Sequence, residues 1–200
     1  MTVDHFAHKS KSWDMSSKRV QNAKSIAELI IDKVALSSTM KIMDFGAGTG
    51  LLSYFVAPHV NTIVAVDNSP SMLEKFKEKS IEFACKTEVL ELDLSQQTIE
   101  QKFDGIISSM TIHHLKDTKA LFEKLYNMLN NDGFIAIADL DSENGTFHSD
   151  NTGVFHFGFE RKELETIAKE VGFKKIRFEL ASTIKKPHHE FTVFLMLAVR

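Results

Sequence analysis

From residue 41 onward, short apolar runs alternate with stretches whose apolar residues recur at helical spacing. Such an alternation is typical of a parallel sheet whose strands are joined by crossover helices. Asn, Gly, Ser and Pro residues at the borders support this division, since Ser69 before Pro70 is a typical helix start and Gly172 a typical helix end. The first five predicted strands cover residues 42–45, 63–66, 87–90, 103–108 and 134–138.

The last two apolar runs, 174–180 and 191–199, are separated by about ten residues that include Pro187. This connection is too short for a crossover helix, so the two runs are predicted to form an antiparallel hairpin. His188 and His189 then fall in its solvent-exposed turn. The sequence therefore predicts an α/β fold with seven strands, mostly parallel, and a C-terminal antiparallel hairpin strand.

The chain is predicted to be a single domain over residues 1–200, because no repeat, low-complexity tract or linker interrupts it. Apolar residues between 16 and 36 advance by three and four, which predicts an amphipathic helix. We divide the domain into an N-terminal helical cap at 1–38 and a core at 40–200. A polar stretch at 141–159, rich in Asn, Ser, Asp and Gly, is a predicted lid for a substrate.

A glycine-rich loop follows the first predicted strand and reads Asp44-Phe45-Gly46-Ala47-Gly48-Thr49-Gly50, with Leu51 opening a helix. Three glycines at alternate positions allow a ligand to lie against bare backbone near a helix N-terminus. The spacing differs from the G-x-G-x-x-G of dinucleotide-binding loops, and no Gly-Lys-Ser/Thr of a P-loop follows. The loop therefore predicts a nucleoside-containing ligand and disfavours a nicotinamide-dependent oxidoreductase.

Acidic residues stand at the ends of the next two strands. Asp67 lies 21 residues beyond Gly46, where a carboxylate can accept hydrogen bonds from both hydroxyls of an unphosphorylated ribose. Asp93 follows the third strand, where an acceptor could contact an exocyclic adenine amine. The loop and the two carboxylates together indicate an adenosine-like ligand.

The composition excludes several other classes. The 200 residues carry a net charge of −3 and no long Lys/Arg run, which argues against nucleic acid as a partner. The N-terminus lacks the pattern of a signal peptide and the apolar runs are too short for membrane insertion, so a cytoplasmic location is expected. The single cysteine, Cys85, argues against a disulfide framework, and no metal site is predicted.

These motifs, in this order, resemble those of class I S-adenosylmethionine-dependent methyltransferases. The resemblance covers the loop at 43–53, the segment at 64–73, Leu92-Asp93-Leu94, the strand at 103–109 and residues 125–137. It is nearest to the small type 11 enzymes similar to those of ubiquinone and menaquinone biosynthesis. The turn Leu129-Asn130-Asn131-Asp132-Gly133 departs from the usual Pro-Gly-Gly of the family.

The resemblance implies a doubly wound Rossmann-like methyltransferase fold, with S-adenosylmethionine as cofactor and S-adenosylhomocysteine as product. It implies that Asp44 faces the amino group of the methionine moiety and that Asp67 holds the ribose. Trp13 and Arg19 would close over the cofactor from the N-terminal segment. The cofactor-binding residues implied in this way are Trp13, Arg19, Asp44, Gly46, Ala47, Gly48, Thr49, Gly50, Leu51, Asp67, Asn68, Met72, Asp93, Leu94, Ser109 and Met110.

The acceptor side is less defined by the sequence. His113 and His114 follow the fourth strand and His156 lies in the predicted lid, and each could act as a base if the acceptor atom is protonated. Alternatively, His113 and His114 shape their loop or cap the helix that begins near Asp117. The alternating Phe155, Phe157 and Phe159 are interpreted as core packing, with a wall of a substrate pocket as the alternative.

Two functions remain open. The first is transfer of the sulfonium methyl group to a small-molecule acceptor by a monomer or homodimer. The second is a non-catalytic module that binds S-adenosylmethionine or S-adenosylhomocysteine. A domain of this length leaves no room for an appended recognition domain, which favours a small acceptor over a macromolecule.

Overall fold

The computed structural model describes residues 10–187 and 189–200. It divides the chain into two units, Met1–Asp93 and Leu94–Arg200. That residues 1–200 form a single domain stays a prediction.

The first unit contains three parallel strands in the order β3-β2-β1, with helices between them. Both β1 and β2 are buried along almost their whole length, as expected for continuous apolar runs in a parallel sheet. β3 exposes alternate residues, which fits its place at an end of the sheet. The elements are α1 Ser17–Lys33, β1 Lys41–Phe45, α2 Leu51–Val56, β2 Thr62–Asp67, α3 Pro70–Ser80 and β3 Lys86–Glu91, preceded by a 3-10 segment at Ser10–Met15.

The register of the first unit aligns the carboxyl ends of its strands. Asp44 lies opposite Ala65 in β2, and Asp67 lies opposite Glu91 in β3. The amide of Leu92 donates to the carbonyl of Asp67 at 2.9 Å, which keeps the chain beyond β3 beside the end of β2. The predicted acidic residues therefore stand at one edge of these three strands.

The second unit contains β4, β5, β7 and β6 in that order. β4 and β5 are parallel, whereas β7 is antiparallel to both β5 and β6. Strands β5 and β7 supply most of the buried apolar residues of this unit, together with one face of α4. The elements are β4 Phe103–Ser109, α4 Thr118–Met128, β5 Leu129–Leu140, α5 Arg161–Val171, β6 Lys174–Lys186 and β7 His189–Val199, with a 3-10 turn at Ile112–His114.

The strand order over the whole chain is β3-β2-β1-β4-β5-β7-β6. This confirms the predicted seven-stranded, mostly parallel sheet with an antiparallel C-terminal strand. The hairpin is longer than predicted, because β6 continues to Lys186 and β7 already begins at His189. His189 is exposed, and His188 lies outside the described residues.

The segment from Leu129 to Gly133, predicted as a turn, belongs to β5. Asp132 has a φ of 60°, and the pairing of β4 with β5 shifts between Phe103 and Gly105. A bulge of this kind lets an irregular polar segment remain within a strand. Of the helices in the described part of the chain, none is long and apolar enough to cross a membrane.

Candidate functional site

The glycine-rich loop connects β1 to α2 and is held against β2 by its own backbone. The amides of Gly46 and Ala47 both donate to the carbonyl of Val66, at 2.8 and 3.1 Å. Gly48 and Gly50 have φ angles of 54° and 80°, in the left-handed region that favours glycine. A Cβ on Gly48 would meet no atom of the described residues within 4 Å, so among these residues the loop presents an open face of bare backbone there.

Asp67, at the carboxyl end of β2, is oriented by the loop. Its Oδ2 accepts a hydrogen bond from the amide of Gly48 at 2.8 Å, and its Oδ1 accepts one from the amide of Ser69 at 2.9 Å. These two contacts orient the carboxylate at the end of β2. The predicted loop and the predicted ribose-binding carboxylate are thus brought together.

Asp44 is the buried carboxylate of the site. It is 1% exposed, and the fully buried Ser53 hydroxyl donates to its Oδ2 at 2.5 Å. Burial raises the pKa of Asp44 to about 7, although the hydrogen bond from Ser53 opposes the shift; the nearby charge of Asp67 adds to the rise. The protonation of Asp44 therefore changes within the physiological pH range.

A residue that the sequence interpretation missed connects the N-terminal segment to the loop. The Thr49 hydroxyl donates to Asp14 Oδ1 at 2.6 Å, and Asp14 also forms an ion pair with Lys79. The neighbouring Trp13 ring packs against the guanidinium of Arg19, whose Cζ lies 4.1 Å from the ring centroid. The resemblance singled out Trp13 in this segment, but the contact to the loop is made by its neighbour Asp14.

The other predicted cofactor residues of the first unit differ in exposure. Asn68 is exposed and Asp93 is half-buried, so both have accessible side chains. Met72, in the first turn of α3, is only 2% exposed and packs in the core of the unit. Leu51 is half-buried at the first position of α2.

Three further predicted cofactor residues lie in the second unit. Leu94 is buried, and its carbonyl accepts a hydrogen bond from Lys124. Ser109 ends β4, and the Thr111 hydroxyl donates to its carbonyl at 3.1 Å. Met110 has a φ of 57°, which is uncommon for a residue other than glycine and often marks a functional turn.

Two histidines after β4 have different environments. His113 is 1% exposed, and its Nδ1 lies 2.7 Å from Oδ1 of the fully buried Asp139. Its partner therefore comes from the end of β5, 26 residues further along the chain. The ring of His114 lies 4.2 Å from that of His113 between centroids, and its Nδ1 contacts the carbonyl of Gly153 at 2.7 Å. Neither caps α4, because the Asp117 side chain accepts from the amide of Ala120.

The predicted lid is folded against this turn. The amides of Phe155 and His156 both donate to the carbonyl of His113, at 3.0 and 3.2 Å. His156 Nε2 lies 2.9 Å from the carbonyl of Leu115. His156 therefore fixes the lid to the loop after His114, which is a structural role in addition to any role toward a substrate.

The interpretation of the three phenylalanines as core residues is wrong for two of them. Phe159 is buried, but Phe155 and Phe157 are 57% and 44% exposed. Gly158, with a φ of 71°, separates Phe157 from the short bridge that Phe159 makes with Asp141. The three phenylalanines therefore do not alternate along one regular strand.

The two loop glycines provide a matched pair for a stability measurement. We expect Gly50→Ala to destabilise the fold by about 2–4 kcal/mol, from the left-handed φ and from overpacking. The new Cβ would lie 2.7 Å from Cδ2 of the buried Phe76. Gly48→Ala carries a similar φ penalty without the contact, so we expect only about 1–2 kcal/mol. Urea unfolding measures both, and an equal loss in the two variants would contradict the prediction.

Comparisons with known proteins find methyltransferases. Residues 43–135 match the family model described as "Methyltransferase domain". An uncharacterised methyltransferase of Schizosaccharomyces pombe is 36% identical over 138 residues, which cover 60% of this chain and 48% of that protein. Malonyl-[acyl-carrier protein] O-methyltransferase of Acetivibrio thermocellus is 32% identical over 165 residues, which cover 78% of this chain and 52% of that protein.

Among solved structures, phosphoethanolamine N-methyltransferase 2 of Haemonchus contortus, in complex with S-adenosyl-L-methionine, matches with a TM-score of 0.72. The match covers 100% of this chain and 60% of that one, at 17% identity, and supports the fold alone. This chain spans about half the length of the curated relatives it matches, at 48% and 52%.

Proposed function

We propose that this chain, whose residues 43–135 belong to the class I S-adenosylmethionine-dependent methyltransferase family, transfers a methyl group from S-adenosylmethionine to a small molecule. The observation that carries the proposal is the hydrogen bond between the Gly48 amide and Asp67. It joins the bare backbone at Gly48 to an oriented carboxylate, an arrangement suited to binding a nucleoside.

The residues present fit this cofactor. No atom of the described part of the chain lies within 4 Å of a Cβ position on Gly48, which supports a ligand lying against the loop there. Asp67, beside it, is positioned to accept from the ribose hydroxyls. The buried Asp44 offers a carboxylate that becomes ionised near neutral pH, suited to the ammonium group of the methionine moiety.

We assign further cofactor contacts residue by residue. Asn68 and Asp93 have accessible side chains and are assigned to the adenine side. Met72 can contribute only an edge of its side chain, because it is almost fully buried. The remaining assigned contacts are Trp13, Arg19, Gly46, Ala47, Thr49, Gly50, Leu51, Leu94, Ser109 and Met110.

The bound cofactor supplies an electrophilic methyl group on a sulfonium. The task of the chain is then to orient the two reactants and to exclude water. If the acceptor atom carries a proton, a base must remove it as the new bond forms. His113, His114 and His156 are the proposed candidates, and His113 is the one held by a buried carboxylate.

The acceptor is proposed to be a small molecule. The net charge of −3 argues against nucleic acid as the acceptor. By their names, the Acetivibrio thermocellus relative acts on a malonyl group linked to acyl-carrier protein, and the structural neighbour from Haemonchus contortus acts on phosphoethanolamine; these acceptors differ in chemistry. We therefore propose the class of reaction, in a monomer or homodimer, and not a particular acceptor.

Two measurements on the unmodified chain test the proposal. Isothermal titration with S-adenosylmethionine and S-adenosylhomocysteine should show saturable binding of both. A cofactor-consumption assay over a panel of amines, alcohols, carboxylic acids and carbon acids should show turnover with at least one class. Absence of binding to both forms would reject the proposal, whereas tight binding without any turnover would indicate a non-catalytic binding module.

A further inference from the structure

Two buried imidazole nitrogens in the second unit have no hydrogen-bond partner among the residues that the structure describes. They are Nε2 of His113 and Nε2 of His148, and the two ring centroids lie 5.0 Å apart. A buried polar atom without a partner costs about 1–3 kcal/mol, so a pair of them in one place requires an explanation. A bound metal ion is not a suitable one, since the described residues contain no group of three or more His, Cys, Asp or Glu arranged for a metal.

The contacts of His113 determine whether its Nε2 donates or accepts a hydrogen bond. The Asp139 carboxylate accepts from the amides of His113 and Leu140, at 3.3 and 2.8 Å, and contacts Nδ1 of His113 at 2.7 Å. A carboxylate partner places the imidazole proton on Nδ1. In the neutral ring, Nε2 is then a hydrogen-bond acceptor.

His148 reaches the same place from the predicted lid. Its ring lies 6.0 Å from that of His114 and packs edge-on against Phe147 at 4.8 Å between centroids. Burial, together with the neighbouring His113, His114 and Lys186, lowers the pKa of His148 to about 4, against the opposing effect of Asp139. His148 is therefore neutral at physiological pH, and its Nε2 can take part in a hydrogen bond as either donor or acceptor.

The lid holds His148 in position through local hydrogen bonds. Glu143 Oε2 accepts from the amides of Thr146 and Phe147, at 2.7 and 3.2 Å. Asn151 donates to the carbonyl of Gly145 at 3.1 Å. The residues on both sides of His148 are thus fixed, so the unpartnered nitrogen belongs to an ordered segment.

We propose that His113 and His148 bind the methyl-accepting group of the substrate, and that this group is a hydrogen-bond donor, an amine or a hydroxyl, and not a carboxylate. The inference rests on the proposed function and deepens it. An amine or a hydroxyl can donate to the acceptor Nε2 of His113, with His148 Nε2 beside it, whereas a carboxylate would leave the His113 nitrogen unpaired and would lie near the buried Asp139 side chain.

The reaction balances at named atoms. The acceptor nitrogen or oxygen forms a bond to the methyl carbon while the carbon–sulfur bond breaks, and the sulfur keeps the electron pair. The proton of the acceptor passes to Nε2 of His113, and the Asp139 carboxylate stabilises the resulting imidazolium. His148 orients the acceptor by hydrogen bonding and does not need to be protonated.

The test observes the two nitrogens directly. The protein is labelled with ¹⁵N-histidine, saturated with S-adenosylhomocysteine at pH 7.5, and titrated with propylamine, 1-propanol and propionate. We expect the free protein to carry the His113 proton on Nδ1, and propylamine or 1-propanol to shift the Nε2 resonances of His113 and His148. A His113 proton on Nε2, shifts with propionate alone, or no shift with any probe would overturn the proposal.

Single variants separate binding from folding. His148→Phe keeps an aromatic ring but removes the nitrogen, and should reduce the probe-induced shift at His113 at least fivefold. The exposed His59→Phe is the matched control and should leave the shift unchanged. An unchanged His113 response in His148→Phe would count against the pair.

Calorimetry separates failure of the proposed function from failure of the acceptor assignment. Absence of binding of S-adenosylmethionine and S-adenosylhomocysteine in calorimetry would reject the proposed function. In that case, the same three probes titrated without cofactor still decide whether the histidine pair binds a donor group. Cofactor binding together with turnover of carboxylic acids alone would reject the acceptor class and leave the methyltransferase proposal intact.

Discussion

Asp67→Ala is expected to weaken the binding of S-adenosylhomocysteine at least about 100-fold. Each hydrogen bond to a charged group contributes about 1.5–3 kcal/mol, and two ribose hydroxyls are expected to donate to this carboxylate. Their combined loss is about 3–6 kcal/mol, where about 1.4 kcal/mol corresponds to a factor of ten. The substitution also removes the acceptor for the Gly48 amide, which lies 2.8 Å from Oδ2 and orients the loop. Isothermal titration of the folded variant measures the loss.

Glu91→Ala provides the control one strand away. Glu91 pairs in register with Asp67 at the end of β3, but its side chain is exposed. Removing its charge should change the affinity by no more than about twofold, since exposed charges are screened by solvent. If Asp67→Ala bound the cofactor within threefold of the unmodified protein, Asp67 would not hold the ribose.

The strands and helices of this chain were predictable where their signals are local. Strands β1 and β2 are continuous apolar runs, and Ser69 caps α3 by accepting from the amide of Met72 at 3.3 Å, as the Ser-Pro start indicates. The bulge at Asp132 and the length of β6 were not predictable. Both depend on pairing with a neighbouring strand, which overrides the local preference for a turn.

The candidate site also contains features that could be predicted from local sequence and contacts that could not. The glycine loop and Asp67 follow from spacing along the chain, because the end of one strand and the start of the next helix are fixed together. The contact of Thr49 with Asp14 spans 35 residues, and that of His113 with Asp139 spans 26. His148 lies in the segment 141–159, whose composition predicts a lid. The unpartnered state of its Nε2 depends on contacts between distant residues and could not be predicted from the sequence.

Asp44 is expected to make stability and cofactor affinity change in opposite directions with pH. Its pKa in the folded protein is about 7, above the ordinary 3.8, so the fold favours the protonated form. The stability contribution is therefore fully present below about pH 4 and is lost as the pH rises through about 7. Binding of the cofactor ammonium instead requires the ionised carboxylate. Affinity should then rise by up to about tenfold per pH unit below 7 and level off above it.

The comparison that isolates this effect is between the unmodified chain and Asp44→Asn, followed from pH 5.5 to 7.5 by thermal unfolding and by titration with S-adenosylhomocysteine. Asparagine does not titrate and still accepts from Ser53, so both slopes should flatten relative to the unmodified chain. The ligand 5′-methylthioadenosine, which lacks the amino acid portion, should show no Asp44-dependent slope in affinity. If both ligands showed the same slope, the ammonium group would not lie beside Asp44. Only S-adenosylhomocysteine carries that group, so its interaction with the Asp44 charge can change the affinity of that ligand alone.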